Sequence, residues 1–281
     1  EEIARKYGYK IEDHFKAQIK DEHYPTEDHL RISRGELSKL VQNLKNKTCP
    51  GKSGLDKFVL KWLLRFFPET LTEAFNSLIS KPDWESNPHA KYLKTRKIIF
   101  LAKKNKDPTR VENYRPISLL ETIFKLVSKF LIEKVSRGVY QTVSPDQYGF
   151  IPTRVMSNCS LTLISIIKTL QNRYKKGSFL LFADIAAAFD CAKPKIIHTL
   201  LSRLYPDSPF PKLIALLDRG GRGVISVNGG LSDPIALTQG TGQGDPASTI
   251  KFSILHHFWL SFLIHAIESS TEQLGQLKIK T

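Results

Sequence analysis

Cysteine is scarce. The chain has three in 281 residues, Cys49, Cys159 and Cys191, far apart and without CxxC or Cys/His ligand spacing. They build neither a disulfide framework nor a zinc site, so a reducing, intracellular compartment is expected, nuclear or cytoplasmic. Methionine occurs once, at Met156. The chain therefore starts without an initiator and is expected to be a piece of a longer polyprotein with other domains. Long apolar runs are missing too. The longest, "FSILHHFWLSFLIHAI" at 252–267, contains three histidines and is short for a bilayer crossing. With no secretory signal at the start, no membrane partner is expected. Acidic residues are under-represented, 27 against 42 Lys plus Arg, for a formal charge of +15 and a pI near 9.6. Such an excess favours a polyanion, nucleic acid first, over a merely basic soluble protein or an anionic membrane surface.

What is present reads as an α+β chain. The first thirty or so residues form a charged lead-in. "SRGELSKLVQNLKNK" then gives a helix, with Ser33 and Glu36 as a capping box and Leu37, Leu40, Val41 and Leu44 on one face. "PGKSGLD" stops it. The "GKS" there is not a phosphate loop, because the earlier glycine of that motif would fall at Asn46. Two helices follow, the second from about Pro68. "TRKIIFLAK" predicts a strand, and the segment after "RPIS" turns helical near Leu119. "SPDQYGFIPTR" predicts a loop and "SNCSLTLISIIKTLQNRYKKG" a helix. "SFLLFAD" predicts a strand ending on Asp184, and "KPKIIHTLLSRLY" a helix. "RGVISVNGGLSDPIAL" predicts a hairpin turning at Asn228-Gly229. "TQGTGQGDPAS" predicts a glycine-rich loop. Pro246 then starts a last helix whose apolar face is Phe252, Leu255, Trp259, Phe262 and Leu263.

Three stretches carry possible chemistry. The first is "FADIAAAFD". A strand emptying into Asp184 can hold a divalent metal, because Mg²⁺ takes one or two carboxylates beside waters and phosphates; Asp184 can equally be a satisfied structural group. Asp190 reads as structural or supporting, since Asp is a favoured helix cap. The second is the basic strand. Between Ala90 and Arg110 stand eight Lys or Arg against one acid, Asp107. Lys94, Arg96, Lys97 and Lys104, with Arg154 further on, are candidate nucleic-acid contacts. Strand alternation forbids Arg96 and Lys97 from sharing a face, and lysines also protect sheet edges from pairing. Arg115 in "YRPIS" suits bidentate phosphate capture. The third is "GTGQGDPAS", where glycines let backbone approach a ligand closely ahead of a helix start.

The order of these blocks is more specific than any one of them. "PGKSGLD", "KDP…NYRPISLL", "QYGFIPTR", "FADIAAAFD" and "QGTGQGDPAS" together resemble the reverse transcriptases of LINE-type (non-LTR) retrotransposons, from about residue 33 to the C-terminus. Ser53 stands where the family's first element usually has aspartate, and Ala186-Ala187 replace a common Glu-Lys. The resemblance implies fingers and an incomplete palm of a right-hand polymerase: a lead-in over 1–32, a helix-rich fingers-like region over 33–140 and a palm-like region over 141–281. It implies that Asp184 is the catalytic, metal-binding aspartate, with the Ile185 backbone carbonyl as a further ligand to Mg²⁺ or Mn²⁺. It also implies that Phe189 discriminates against the ribose 2′-hydroxyl. Gln243 and Gly244 would line the nucleotide, and Lys103 and Arg115 would meet the triphosphate. RNA template, DNA primer and dNTPs are the implied partners. The family's second catalytic block carries Asp-Asp, and no Asp-Asp occurs in this sequence. The expectation is a reverse transcriptase cut off before that block; a non-catalytic nucleic-acid-binding module derived from one is the alternative.

Overall fold

Ser33 opens the first helix as its sequence predicts. Its hydroxyl accepts from the Glu36 amide, and Glu36 Oε2 accepts in return from the Ser33 amide at 3.0 Å. This helix is α1, Arg34–Gln42, and its Leu37, Leu40 and Val41 are buried. The computed structural model describes residues 24–44, 49–80, 92–175, 180, 182–242 and 244–274. The lead-in as far as residue 23 and Gln243 therefore lie outside the described residues.

Helices α2 (Lys57–Phe66) and α3 (Pro68–Ser80) follow, broken at Phe67 just before the proline. The basic strand is β1, Thr95–Ala102, and β2 is Tyr114–Leu119. The β2 strand was not expected, since "YRPISL" contains a proline. Pro116 is tolerated because β2 lies at the sheet's edge, with β1 as its neighbour in the strand order. Helix α4 (Thr122–Thr142) begins just after β2. The loop at 144–155 and α5 (Met156–Arg173) fall as predicted.

The expected strand at 178–184 does not form among its described residues; 182–185 are irregular, and Phe182 is 81% exposed. A strand exists only by pairing, and no described strand lies alongside. The one-turn helix α6 (Ala188–Cys191) comes next, then α7 (Pro194–Leu204) and α8 (Phe210–Asp218), the last unforeseen. The hairpin holds as predicted. β3 (Arg222–Val227) turns through Asn228 and Gly229, both at positive φ, into β4 (Gly230–Leu231). β3 runs parallel to β1, with Thr95 opposite Arg222, and β5 (Ile235–Ala236) pairs back onto β3.

Helix α9 (Ser248–Leu274) begins two residues after the expected Pro246. Its buried stripe is also rotated from the expected one. Ile250, Lys251, Ile254 and His257 face inward, while Trp259 and Leu263 are exposed. The cause is Lys251, whose two carboxylate partners lie in the interior. By length and composition alone, the 22 residues Ser248–Ser269 could cross a membrane. The buried ion pairs on this helix are what a core helix makes.

The core is organised around α4, which buries one continuous face through Phe124, Val127, Leu131, Val135 and Val139 and, over its first turns, other sides as well, while Glu133 and Arg137 stay exposed. α1, α8 and α9 pack against it. Phe75 of α3 meets Phe130 edge-on at 6.1 Å, and the buried Tyr205 hydroxyl donates to the Val135 carbonyl at 2.6 Å. By contrast, α5 buries none of its side chains.

Ser53 has a clear role. The "PGKSGLD" loop wraps the start of α4, and the buried Glu121 carboxylate accepts from the Ser53 amide at 2.9 Å and from its hydroxyl. An aspartate at this position would set a second carboxylate against Glu121. Ser53→Asp is expected to cost about 1–3 kcal/mol at neutral pH, the penalty for a buried acceptor that loses its donor, with added like-charge repulsion. Urea unfolding at pH 7 and pH 5 checks it, and the deficit should shrink at the lower pH as a carboxyl takes a proton.

Candidate nucleotide and nucleic-acid site

The glycine-rich loop is where separate stretches of the sequence meet. On one side it is bonded to α6: the Gly240 amide donates to the Ala192 carbonyl at 2.7 Å and the Thr241 amide to the Phe189 carbonyl at 2.9 Å. On the other side it lies against the β1–β2 sheet. A Cβ on Gly242 would fall 2.1 Å from Arg96 Nη1, and one on Gly244 would fall 2.4 Å from the Ser118 carbonyl oxygen of β2. Gly244 also has φ +115, a backbone conformation that side chains disfavour. The loop is thus wedged between α6 and the edge strand, with no space for a side chain at its tightest point.

Its far end is anchored from beneath. Asp245 is buried, and its carboxylate accepts from Ser128 of α4 at 2.6 Å, from the Ala247 amide at 3.0 Å and from Lys251 at 3.2 Å. Lys251 also donates to Asp218 at 2.8 Å, and the far side of Asp218 meets His198 at 2.8 Å. Burial alone would push the Asp218 carboxyl up. The Lys251 charge and the His198 hydrogen bond outweigh that and hold it well below the usual carboxylate range. Burial likewise works against the charge on Lys251, but the two aspartates raise its pKa overall. None of the side chains of Asp245, Ser128, Lys251, Asp218 and His198 was singled out from the sequence. The available signal was a lone lysine inside the apolar run "TIKFSIL", which cannot be buried unless it is paired.

Asp184 lies in the exposed irregular segment, three residues before the left-handed Ala187 that starts α6. The carboxylate is solvated, so there is no burial penalty for a cation to offset, contrary to the reading of a buried strand end. Asp190 is not the cap of a following helix. It is the third residue of α6, whose N-cap is Ala187, and burial pushes its carboxyl up. Phe189 is held rigidly. It stacks on Phe252 of α9 at 4.8 Å and meets Phe150, from "QYGF", edge-on at 5.7 Å. Phe150 has φ +62.

The basic residues divide. Lys97 and Arg115 share one face of the β1–β2 ribbon, by alternation from the paired positions Lys97–Leu119 and Leu101–Arg115. Arg96 points to the opposite face and is buried beneath Gly242. Lys94 is buried and donates to the carbonyls of Leu216 and Arg219 at 2.6 and 3.1 Å, so it serves the fold rather than an external ligand. Arg154 donates to the Ser144 and Gln147 carbonyls and staples the 144–154 loop. Lys103 donates to the Glu112 carbonyl at 2.9 Å, leaving Lys104 exposed at the tip of the ribbon. The structure therefore brings Phe189 and Arg96 against the loop that carries Gly244, leaves Asp184 and Ile185 in the exposed segment just before α6, and sets Lys97 and Arg115 on the other face of the ribbon.

As to a metal, Asp184 and the Ile185 carbonyl are oxygen donors of the kind Mg²⁺ or Mn²⁺ takes. Among the described residues, no group of three His, Cys, Asp or Glu could hold an ion unaided. The donors fit one side of a divalent-ion site, not a complete one.

The molecule is an α+β protein in which a glycine loop is clamped between an edge ribbon rich in cations and the short helix that follows an exposed aspartate. A family model described as reverse transcriptase (RNA-dependent DNA polymerase) matches residues 101–274, and the chain belongs to that family. Its relatives agree with the LINE-type resemblance. It is 27% identical over 230 residues to the RNA-directed DNA polymerase from mobile element jockey of Drosophila funebris, covering 79% of this chain and 24% of that protein. It is 23% identical over 231 residues to the Retrovirus-related Pol polyprotein from type-2 retrotransposable element R2DM of Drosophila melanogaster, covering 82% of this chain and 20% of that one. It is also 23% identical over 223 residues to the Transposon TX1 uncharacterized 149 kDa protein of Xenopus laevis, covering 79% of this chain and 16% of that one. The chain thus spans at most 24% of the length of these relatives.

Proposed function

We propose that the chain is the fingers-like and palm-like part of an RNA-directed DNA polymerase, which extends a DNA primer on an RNA template by adding dNTPs to its 3′-hydroxyl. The observation that carries this reading is the clamped loop: Gly244, with no room for a side chain, set against β2, and the loop tied through Gly240 and Thr241 to Ala192 and Phe189. A rigid backbone surface of this kind positions a base pair, and Phe189, locked between Phe150 and Phe252, gives a fixed wall beside the sugar. Lys97, Lys104 and Arg115 neutralise phosphates along the ribbon. Asp184 and the Ile185 carbonyl would hold a divalent ion, which when bound supplies electrostatic stabilisation of the reacting phosphate oxygens. Phosphoryl transfer depends chiefly on such positioning and charge placement.

A second reading, a nucleic-acid-binding module without catalysis, is favoured by one observation: Asp184 has no companion carboxylate cluster among the described residues. Primer extension on an RNA template with Mg²⁺ and dNTPs separates the two. Extension by the chain that disappears in Asp184→Ala supports the polymerase. Salt-sensitive binding of primer–template without extension, the same in both proteins, supports the module.

A further inference from the structure

Helix α2 turns its aromatic side away from the protein. Its buried positions are Lys57 and Leu60, while Phe58, Trp62 and Phe66 are 64%, 53% and 55% exposed. These three recur every fourth residue, so their rings rise along one stripe at intervals of about 6 Å. The stripe is ordered before any ligand arrives. The Trp62 ring packs on Phe66 at 5.2 Å and on Phe67 at 5.8 Å, and the Arg65 guanidinium lies over the Phe66 ring at 5.5 Å. Beside it, between α2 and α1, runs an open cleft of about 470 Å³. Lys61 and Arg65 supply cations to its lining, Arg34 is ion-paired with Glu69 of α3 at 2.9 Å, Ser38 and Gln42 supply neutral polar groups, and no acidic residue lines it among the described residues.

We infer that this face of α2 is a docking surface for single-stranded RNA, separate from the glycine-loop site. Bases stack on Phe58, Trp62 and Phe66 while the phosphates follow Lys61 and Arg65 in the adjoining cleft. Aromatic rings flanked by cations form the usual platform for an unpaired strand, because every base has a face to stack and every nucleotide carries a charge. Charge complementarity selects this occupant. α2 contains no acidic residue, and the chain as a whole carries +15. Lys61 and Arg65 face the cleft with no acid in its lining among the described residues, which suits a phosphate chain, and a lipid surface would touch the convex stripe and leave the cleft unused. The inference does not depend on Asp184 or on catalysis.

The test uses the full 281-residue chain and a fluorescein-labelled single-stranded polyuridine oligonucleotide, followed by anisotropy across a salt series. Trp62→Ala is expected to weaken binding about five- to a hundredfold, as loss of one stacked base does, without changing the salt slope. The Lys61→Gln/Arg65→Gln double variant is expected to reduce the slope of log K against log salt by about 1.4, two phosphates at roughly 0.7 each. Each altered ring or charge is on the surface, and thermal unfolding of the variants checks that the fold is intact. Affinity unchanged in Trp62→Ala, or a slope unchanged in the double variant, overturns the proposal. So does a result in which the same residues govern binding to phosphatidylserine vesicles, or self-association by sedimentation, with RNA affinity unaltered. Because no step is catalytic, failure of primer extension leaves this result standing, and failure here leaves the polymerase reading standing.

Discussion

Lys251→Met should destabilise the protein by about 3–5 kcal/mol at pH 7, the largest effect expected of any single substitution. The lysine is 2% exposed and bridges two carboxylates, Asp218 and Asp245, that have almost no access to water. Removing it leaves both charges in the interior with only His198, Ser128 and an amide as donors. The pH dependence should reverse as well. In the parent protein the Asp218 carboxyl is held below its ordinary range. Its contribution is therefore complete above the unfolded pKa, near 4, and is lost as pH falls below that. In Lys251→Met the cation is gone and desolvation dominates, so the neutral acid is preferred and acidification from pH 7 to about 5 recovers stability. Urea unfolding followed by circular dichroism at both pH values reads the two signs directly. A variant that loses less than about 1 kcal/mol, or whose deficit does not shrink on acidification, would mean that water or a rearranged side chain serves the two aspartates.

If the chain extends primers as proposed, Gly244→Ala should act in the opposite manner, with small loss of stability and large loss of nucleotide incorporation. Its Cβ would meet the backbone carbonyl of Ser118 at 2.4 Å, and neither partner is a flexible side chain that could yield. The φ of +115 adds strain of about 1–3 kcal/mol. The loop relieves both by swinging off the β2 edge, and a displacement of about 1 Å at a positioning surface costs roughly a hundredfold in rate. Gly240→Ala is the comparison. There φ is +85, so the backbone strain is shared, but the new methyl lies 3.3–3.4 Å from the backbone of Phe189 and Asp190; the loop shifts by less and a smaller loss than in Gly244→Ala is expected. Single-nucleotide incorporation at saturating dNTP, beside thermal unfolding, distinguishes a displaced loop from an unfolded one. Equal losses in the two variants would show that contact with β2 does not set the loop's position.

The sequence carried local rules faithfully and long-range ones poorly. The Ser33–Glu36 capping box, the Pro68 helix start and the Asn228-Gly229 turn each depend on residues within a few positions of one another, and each appears as read. β2 was hidden because whether a proline is acceptable in a strand depends on being at the edge, which only the sheet order reveals. The stretch before Asp184 looked like a strand because it is apolar, but strand formation needs a neighbour that local pattern cannot supply. At the site, the glycines and Phe189 could be picked out from type and order. The work of Lys94, Arg96 and Arg154 could not, because a cation looks the same in a sequence whether it meets a phosphate or a carbonyl group. The tie between Asp245 and Asp218 through Lys251 joins residues 27 apart in the chain, beyond any periodicity.

The packing of α4 against several elements has a consequence for how this chain can be divided. α4 receives α1 on one part of its surface and α8 and α9 on others, and Ser128 on the same helix holds the glycine loop through Asp245. A line drawn at residue 140 would cut through this helix, within its last turn. The segments on either side are therefore not cassettes that recombination could exchange freely. A graft from a relative would have to bring a matching α4 with it, or rebuild both halves of the molecule around a foreign mast.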